Sequence, residues 1–519
     1  MAGQLQAIAD QPREASFGSR FTNARAMFNR ARHLFEKDAH GTMQYRRVLG
    51  WGGYGIVQLW SVIDPATGNV VRDVAIKFGS SGKDSAANAT RNEIMWMRYF
   101  RNAEHIIQLA WLRNASYAEI GTLYNREDAE RPTIVMEAEK FSMRELINNI
   151  NASKMYQYLN PADTANHKVG FIPSRILWRM FLCLARGIIG MAYPPPSWLP
   201  GSEEYRESVN AQGIVDELPQ TIVHFDLDPQ NVLVGDVDLM APDEEHRISP
   251  LIKIADLGLM TDWDSMNMPY AKMYAIRKGK TNYYAPEQRD RTRAANDEYV
   301  IGHPLNVWAI GLTMFNLLTL RHPNASNWKP SNCTLPTKNS SETKILTWGW
   351  QIIPDENGTT DDEYIDAYDL RLRQLIALCM ADHTAHRPDL ATLLTTIEAG
   401  IQAADARRDQ APPESHYVIG TKGGKSAPQN ETAFFSSGKN SNSHPRSGSP
   451  TTGTSKRDWV VKQEDSGSEG GVPVFKLPPG IAPIFEVPPD VEDDELIQRW
   501  ISDYIRNAPT PHDPYAGHW

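Results

Sequence analysis

Cysteine is scarce in this chain. Three residues among 519, Cys183, Cys333 and Cys379, are too few and too scattered for a disulfide framework or a cysteine-built zinc site. Cys183 and Cys379 fall in apolar helical stretches, where a free thiol reads most simply as a core group. An excess of basic charge is also missing. Lys and Arg number 53 against 63 Asp and Glu, a net charge of −10, which argues against nucleic acid or an anionic membrane as the partner of the whole chain. No apolar run is long enough to span a bilayer, since the stretch from Ile176 to Ala192 is interrupted by Arg179 and Arg186. Residues 1–18 lack the apolar core of a secretory leader, so the expected setting is cytoplasmic or nuclear. The N-x-S/T triplets at Asn151, Asn332 and Asn357 are then expected to stay unmodified. Internal repeats are absent.

What is present is an ordinary globular balance, 41% hydrophobic and 22% charged, organised in four stretches. Residues 1–42 form an N-terminal extension in which Phe28, Ala31, Leu34 and Phe35 recur at helical spacing. Residues 43–403 read as one large domain. Its first part carries short β runs at Tyr45–Leu49, Ile56–Ile63, Val71–Phe78, Ile106–Trp111 and Thr133–Glu137, with one helix inserted at Ala86–Arg101. Helix signals dominate from Phe141 onward, with Ser174 the candidate N-cap of an apolar helix Arg175–Met191. Residues 193–213 read as an inserted surface loop, and 321–345 as a second polar insertion. Residues 404–472 form a low-complexity linker, expected to be disordered where Gly, Ser, Thr and Asn crowd out apolar groups. Residues 473–519 combine a proline-rich extended segment with a short amphipathic helix at 491–506, whose face of Leu496, Ile497, Trp500, Ile501, Tyr504 and Ile505 could dock on the domain or on a partner.

Chemistry-bearing residues follow one another along the domain. Gly50, Gly52 and Gly55 lie in a glycine-rich hairpin between two strand-like runs. A strand follows it, whereas a dinucleotide fold would need a helix there. Val74-Ala75-Ile76-Lys77 sits in the third strand, and Glu93 falls in the inserted helix. His224-Phe225-Asp226-Leu227-Asp228-Pro229-Gln230-Asn231 sets an Asp and an Asn five residues apart in one loop, where the carboxylate can take a hydroxyl proton and the amide oxygen can face a cation. Asp256-Leu257-Gly258 puts a carboxylate directly after an apolar strand, Leu251–Ala255. Ala285-Pro286-Glu287, Asn306-Val307-Trp308-Ala309-Ile310-Gly311 and a late Arg387 complete the order. Each tripeptide or tetrapeptide has an ordinary structural explanation when taken singly. The ordered set does not.

This set, over roughly residues 43–403, resembles the eukaryotic protein kinases of Ser/Thr type in a divergent form. The resemblance implies an α+β fold of two lobes, a small antiparallel sheet with one helix and a larger, mainly helical lobe. It implies protein substrates, with ATP and Mg2+ as cofactors. The nucleotide would be bound by Gly50, Gly52, Gly55, Val57, Ala75, Lys77, Glu93, Glu137, Ala138 and Leu233, and the metal by Asn231 and Asp256. Asp226 is the expected catalytic carboxylate, and Lys77 the phosphate-binding ammonium. Glu287 and Arg387 are expected to pair in the core as structural groups. Pro229 fits the Ser/Thr style of catalytic loop.

Three departures matter. Phe225 stands where the family usually has Arg, Asn306 where it has Asp, and Asp228 where Ser/Thr members carry Lys. The alternative reading is therefore an ATP-binding pseudokinase or scaffold with little phosphoryl transfer. Position 280, five before Ala285, carries Lys where the family has Thr. Acid for base in one loop and base for hydroxyl in the other predicts an Asp228–Lys280 ion pair, so both join the candidate catalytic residues. Asn306, being neutral, is expected to hold the catalytic loop less tightly, and Phe225 leaves no Arg to receive an activation-loop phosphate.

Overall fold

The computed structural model describes residues 43–51, 55–79, 84–110, 125–126, 132–160, 172–194, 207, 218–237, 245–290, 300–321, 328–337, 340–360 and 362–410. The N-terminal extension, most of the linker and the C-terminal segment with its amphipathic helix lie outside these residues, as does Gly52.

The chain opens with β1 (Met43–Trp51), β2 (Gly55–Ile63) and β3 (Val70–Gly79), followed by helix α1 (Asp84–Tyr99) and β4 (Thr133–Glu137). These strands form one antiparallel sheet in the order β1-β2-β3-β4. Only the second half of β3, from Val74 to Phe78, is buried, so the sheet covers its core at the end where Lys77 lies. The β run expected at Ile106–Trp111 is not a strand over its described residues. Ile106 bridges Ile254 and Leu109 bridges Met136, each in isolation, because Gln108 turns its side chain back onto the carbonyls of Phe100, Ala103 and Ile106.

Next come β5 (Phe141–Ser142), α2 (Met143–Leu159) and α3 (Ser174–Ala192). A reciprocal capping box of Ser142 and Glu145 starts α2. Ser174 does not cap α3. Pro173 takes that position, and Ser174 Oγ instead accepts from the backbone N–H of Asp369 at 3.1 Å. All residues of α3 are buried, three arginines among them. Charges this deep need partners, and they have them. Arg175 and Arg179 meet Asp405 at 2.5 and 2.9 Å, and Arg186 meets Glu245 at 2.9 Å.

Strands β6 (Ile222–Val223), β7 (Val232–Val234), β8 (Ile252–Ile254) and β9 (Thr261–Asp262) then set up two small sheets, β5-β7-β8 and β6-β9. The loop carrying Asp226 to Asn231 runs from β6 to β7, and Asp256 lies between β8 and β9. Helices α4 (Pro269–Ala275), α5 (Pro286–Arg289) and α6 (His303–Thr319) follow. The polar insertion expected at 321–345 contains an antiparallel hairpin, β10 (Ser331–Thr337) and β11 (Ser340–Thr347). Leu335 and Ile345 project from it onto Ala377, Leu378 and Ala381. Helices α7 (Glu363–Asp366), α8 (Leu370–Cys379) and α9 (Leu390–Gln410) complete the described chain. α9 runs past the boundary expected at residue 403, since Asp405 is tied to the two arginines of α3.

A continuous core cluster runs from Ile94 and Phe100 through Trp178, Phe181 and Trp308 to Leu393. Gly400 lets α9 lie against Trp178; a Cβ there would meet the indole at 2.6 Å. The whole is a mixed α+β protein, and among the described residues no helix is long and apolar enough to cross a membrane.

Candidate active site

Lys77 is held in the middle of the sheet. It pairs with Val57 on β2 and Ile134 on β4, and its side chain is almost fully buried. Lys77 Nζ donates to Glu93 Oε2 at 2.6 Å and to Asp256 Oδ1 at 2.9 Å. One ammonium thus faces two carboxylates. Burial alone would lower the Lys77 pKa, but the pull of Asp256 and Glu93 wins and raises it, so Lys77 is a cation at any working pH. Burial would likewise raise Asp256, yet Lys77 keeps that carboxyl below its ordinary value. Glu93 is shifted upward by burial.

The loop after β6 is fixed from three sides. His224 Nε2 donates to the Ala255 carbonyl at 3.0 Å, while its Nδ1 accepts the Asp226 N–H at 3.2 Å. Both partners require the neutral ring, in keeping with burial driving the His224 pKa down to about 4. Asn306 lies inside α6, where Gly302 holds the N-cap position. Its Oδ1 accepts the His224 N–H at 3.1 Å and its Nδ2 donates to the Ile222 carbonyl at 2.8 Å. An amide offers both an acceptor and a donor, whereas a carboxylate could not bond to the Ile222 carbonyl. Phe225 adopts φ +64, and Gly279 approaches it so closely that a Cβ would sit 1.9 Å from the Phe225 carbonyl oxygen. Only glycine fits there.

Asp226 points one oxygen at Asn231, whose Nδ2 donates to Asp226 Oδ2 at 3.0 Å and to its carbonyl at 2.6 Å. The other oxygen, Oδ1, is buried and has no hydrogen-bond partner among the described residues. Burial pushes the Asp226 carboxyl up to about 7, with Lys280 opposing and Asp228 and Asp256 adding to the rise. Asp228 Oδ1 accepts the Gln230 N–H at 2.7 Å in a local turn, and its Oδ2 accepts a short hydrogen bond from Lys280 Nζ. The same ammonium lies 3.8 Å from Asp226 Oδ2. The pairing expected from the sequence is therefore present.

The remaining candidates divide into two groups. Ala75 is buried on β3, with Val57 and Leu233 partly buried against the same core, as is Ala138 after β4. Gly50 has open space around it, while Gly55 is required by packing, because a Cβ would meet the Phe78 carbonyl at 2.1 Å. Glu137 is engaged elsewhere. Its Oε1 accepts from Lys253 Nζ at 2.7 Å and the Gln108 N–H at 2.8 Å. Sequence reasoning passed over Lys253, Asn92 and Lys278. Asn92 donates to the carbonyls of Gly258 and Met260, both at 3.0 Å. Lys278 donates to Thr261 Oγ1 at 2.6 Å and lies over the Phe225 ring at 5.9 Å.

Glu287 and Arg387 form the expected buried pair, bidentate at 2.7 and 2.7 Å with neither side chain exposed. Arg387 also bonds to the carbonyls of Ala381 and Pro304.

Residues 218–396 match the family model described as protein kinase domain. Over these residues the chain is similar to the protein kinase superfamily, which supports a protein kinase or a kinase-like protein. The matched stretch contains the Asp226 loop, Asp256 and the Glu287–Arg387 pair; Lys77 and Glu93 lie before it. No curated protein matches the chain.

Proposed function

We propose that this chain is a two-lobed protein kinase that transfers the γ-phosphate of ATP to Ser or Thr hydroxyls of protein substrates, with Mg2+ as cofactor. The observation that carries the reading is Asp226, whose Oδ1 is a buried acceptor without a donor among the described residues and whose Oδ2 lies 3.8 Å from the ammonium of Lys280. A substrate hydroxyl is the donor that Oδ1 lacks. Asp226 accepts or orients the hydroxyl proton, and Lys280 supplies the positive charge that the family's catalytic-loop Lys would bring, with Asp228 as its anchor.

The donor set fits the cofactors. Asn231 has its Nδ2 committed to Asp226, which leaves its amide oxygen to a cation, and Asp256 supplies a hard carboxylate of the kind Mg2+ requires. Bound Mg2+ neutralises phosphate charge. Lys77 holds the phosphates, and Gly50, Val57, Ala75, Ala138 and Leu233 surround the rest of the nucleotide. Pro229 supports Ser/Thr over Tyr as the acceptor. A second reading, a nucleotide-binding scaffold with weak transfer, draws on Asp228, whose carboxylate is an unfavourable neighbour for a phosphate whenever Lys280 moves away.

The deciding experiment is Mg2+-dependent transfer of labelled γ-phosphate by the purified full chain to a mixed protein substrate, followed by phosphoamino-acid analysis. Phosphoserine or phosphothreonine, lost in Asp226→Asn, supports the proposal. Nucleotide binding without transfer selects the scaffold, and phosphotyrosine overturns the acceptor class.

A further inference from the structure

A second cluster of reactive side chains lies around His105, in the turn after α1, and the phosphate-transfer reading makes no use of it. His105 is fully buried. Its backbone N–H donates to Glu207 Oε1 at 2.9 Å, and its Nδ1 meets Glu207 Oε2 at 2.9 Å. Glu104 Oε2 lies 3.9 Å from the same nitrogen. Nε2 of His105 is buried and has no hydrogen-bond partner among the described residues. Glu207 falls in the stretch expected to be a surface loop, yet it is fully buried, and its backbone carbonyl accepts from Arg186 Nη1 at 2.6 Å.

The ligand-type atoms of His105, Cys183 and His246 all lie within 4.8 Å of one another. His246 Nε2 is 3.5 Å from Cys183 Sγ, and its Nδ1 is 3.7 Å from Glu104 Oε1. His105 turns Nδ1 toward Glu207 and keeps a buried Nε2 without a partner among the described residues, while His246 turns Nδ1 toward Glu104 and Nε2 toward the Cys183 thiol. A carboxylate behind each ligating imidazole is the arrangement that fixes ring orientation and tautomer around a bound metal. Two imidazoles and a thiolate form a borderline-soft donor set that suits zinc and is poorly matched to magnesium or calcium.

We propose that His105, Cys183 and His246 bind one zinc-class divalent ion, with Glu207 and Glu104 supporting the two histidines and the fourth position left to water. The ion's charge is offset by the thiolate and by the flanking carboxylates. The role is structural. The His105 carbonyl accepts the Ile254 N–H at 2.8 Å, so the ion would clip the turn after α1 and helix α3 to the strand that leads into Asp256. Counting cysteines overlooks such a site, because histidines supply most of it.

The test is a cobalt titration of the full wild-type chain after chelator and reductant treatment. Expected are one cobalt per chain and a thiolate-to-cobalt charge-transfer band in the near ultraviolet, displaced by Zn2+ and untouched by Mg2+. The band should vanish in Cys183→Ser, persist in Cys333→Ser, and need about 10–100-fold more metal in Glu207→Gln. Absence of the band in the wild-type chain overturns the proposal whatever the variants do. Persistence in Cys183→Ser, confirmed folded by circular dichroism, overturns it equally.

Discussion

Lys280 Nζ donates directly to Asp228 Oδ2 and stands 3.8 Å from Asp226 Oδ2. One ammonium from the segment before Ala285 thus serves two carboxylates of the loop between β6 and β7. The Lys280 pKa is raised; burial lowers it, but Asp228 and Asp226 more than compensate, so the group stays charged.

If this pair replaces the usual loop lysine, Lys280→Ala should cut the transfer rate by about 10–100-fold, in line with removing a positioned electrostatic group. Asp228→Lys alone should not raise activity, since it places two cations together. Asp228→Lys combined with Lys280→Thr should recover most of the wild-type rate. A double variant no better than Lys280→Ala would sink the exchange hypothesis.

Lys77→Met and Asp256→Asn should each abolish measurable transfer while the chain keeps its circular dichroism spectrum. The first removes the ammonium that Glu93 and Asp256 hold in place, and the second removes a metal-type carboxylate. A rate within a few fold of wild type for either variant would contradict an active kinase.

The pH dependence follows from Asp226. A base works when ionised, and burial has pushed this carboxyl up to about 7, so kcat/KM should fall as pH drops through about 7. Lys280 opposes that rise, so Lys280→Ala should move the acid limb to higher pH. A limb that stays put or moves to lower pH would show that another group titrates.

Activation-loop phosphorylation should be dispensable. Lys278 already bonds to Thr261 and lies over Phe225, a residue that cannot receive a phosphate. Phosphatase treatment of the purified chain should leave its rate unchanged, and a drop of tenfold or more would refute this.

Arg387→Leu should lower stability by about 3–5 kcal/mol in denaturant titrations, because it strands the buried Glu287 carboxylate. Adding Glu287→Gln should return part of the loss. Equal instability of the single and double variants would mean that packing, rather than the stranded charge, dominates.

Four of the five short β runs, α1, α3 and the order of the site residues were legible because periodicity and local sequence carry them; the run at Ile106–Trp111 was not a strand over its described residues. So was the Asp228–Lys280 pair, since two substitutions of opposite sign in facing loops leave a trace in the sequence. The β10–β11 hairpin was not. SNCTLPT shows little alternation, and its strands become stable only where Leu335 and Ile345 find α8. Ser174 reads as a cap from its place before the apolar helix, yet its hydroxyl oxygen accepts from the backbone N–H of Asp369, 195 residues away. The His105 cluster was hidden for the same reason. Cys183 and His246 are 63 residues apart, and no local pattern marks them as neighbours.

The stitch between the turn after α1 and β8 also fixes where the protein can bend. Ile254 gives its N–H to His105 and takes the N–H of Ile107 at 2.9 Å, so this turn travels with the strand that leads into Asp256. Between that anchor and the last turn of α1 stands Asn102 at φ +69, a conformation that asparagine tolerates better than most residues. A swing of α1 that carried Glu93 away from Lys77 would then have its fulcrum between Tyr99 and His105. Such a swing would also have to break the two bonds from Asn92 to the carbonyls of Gly258 and Met260.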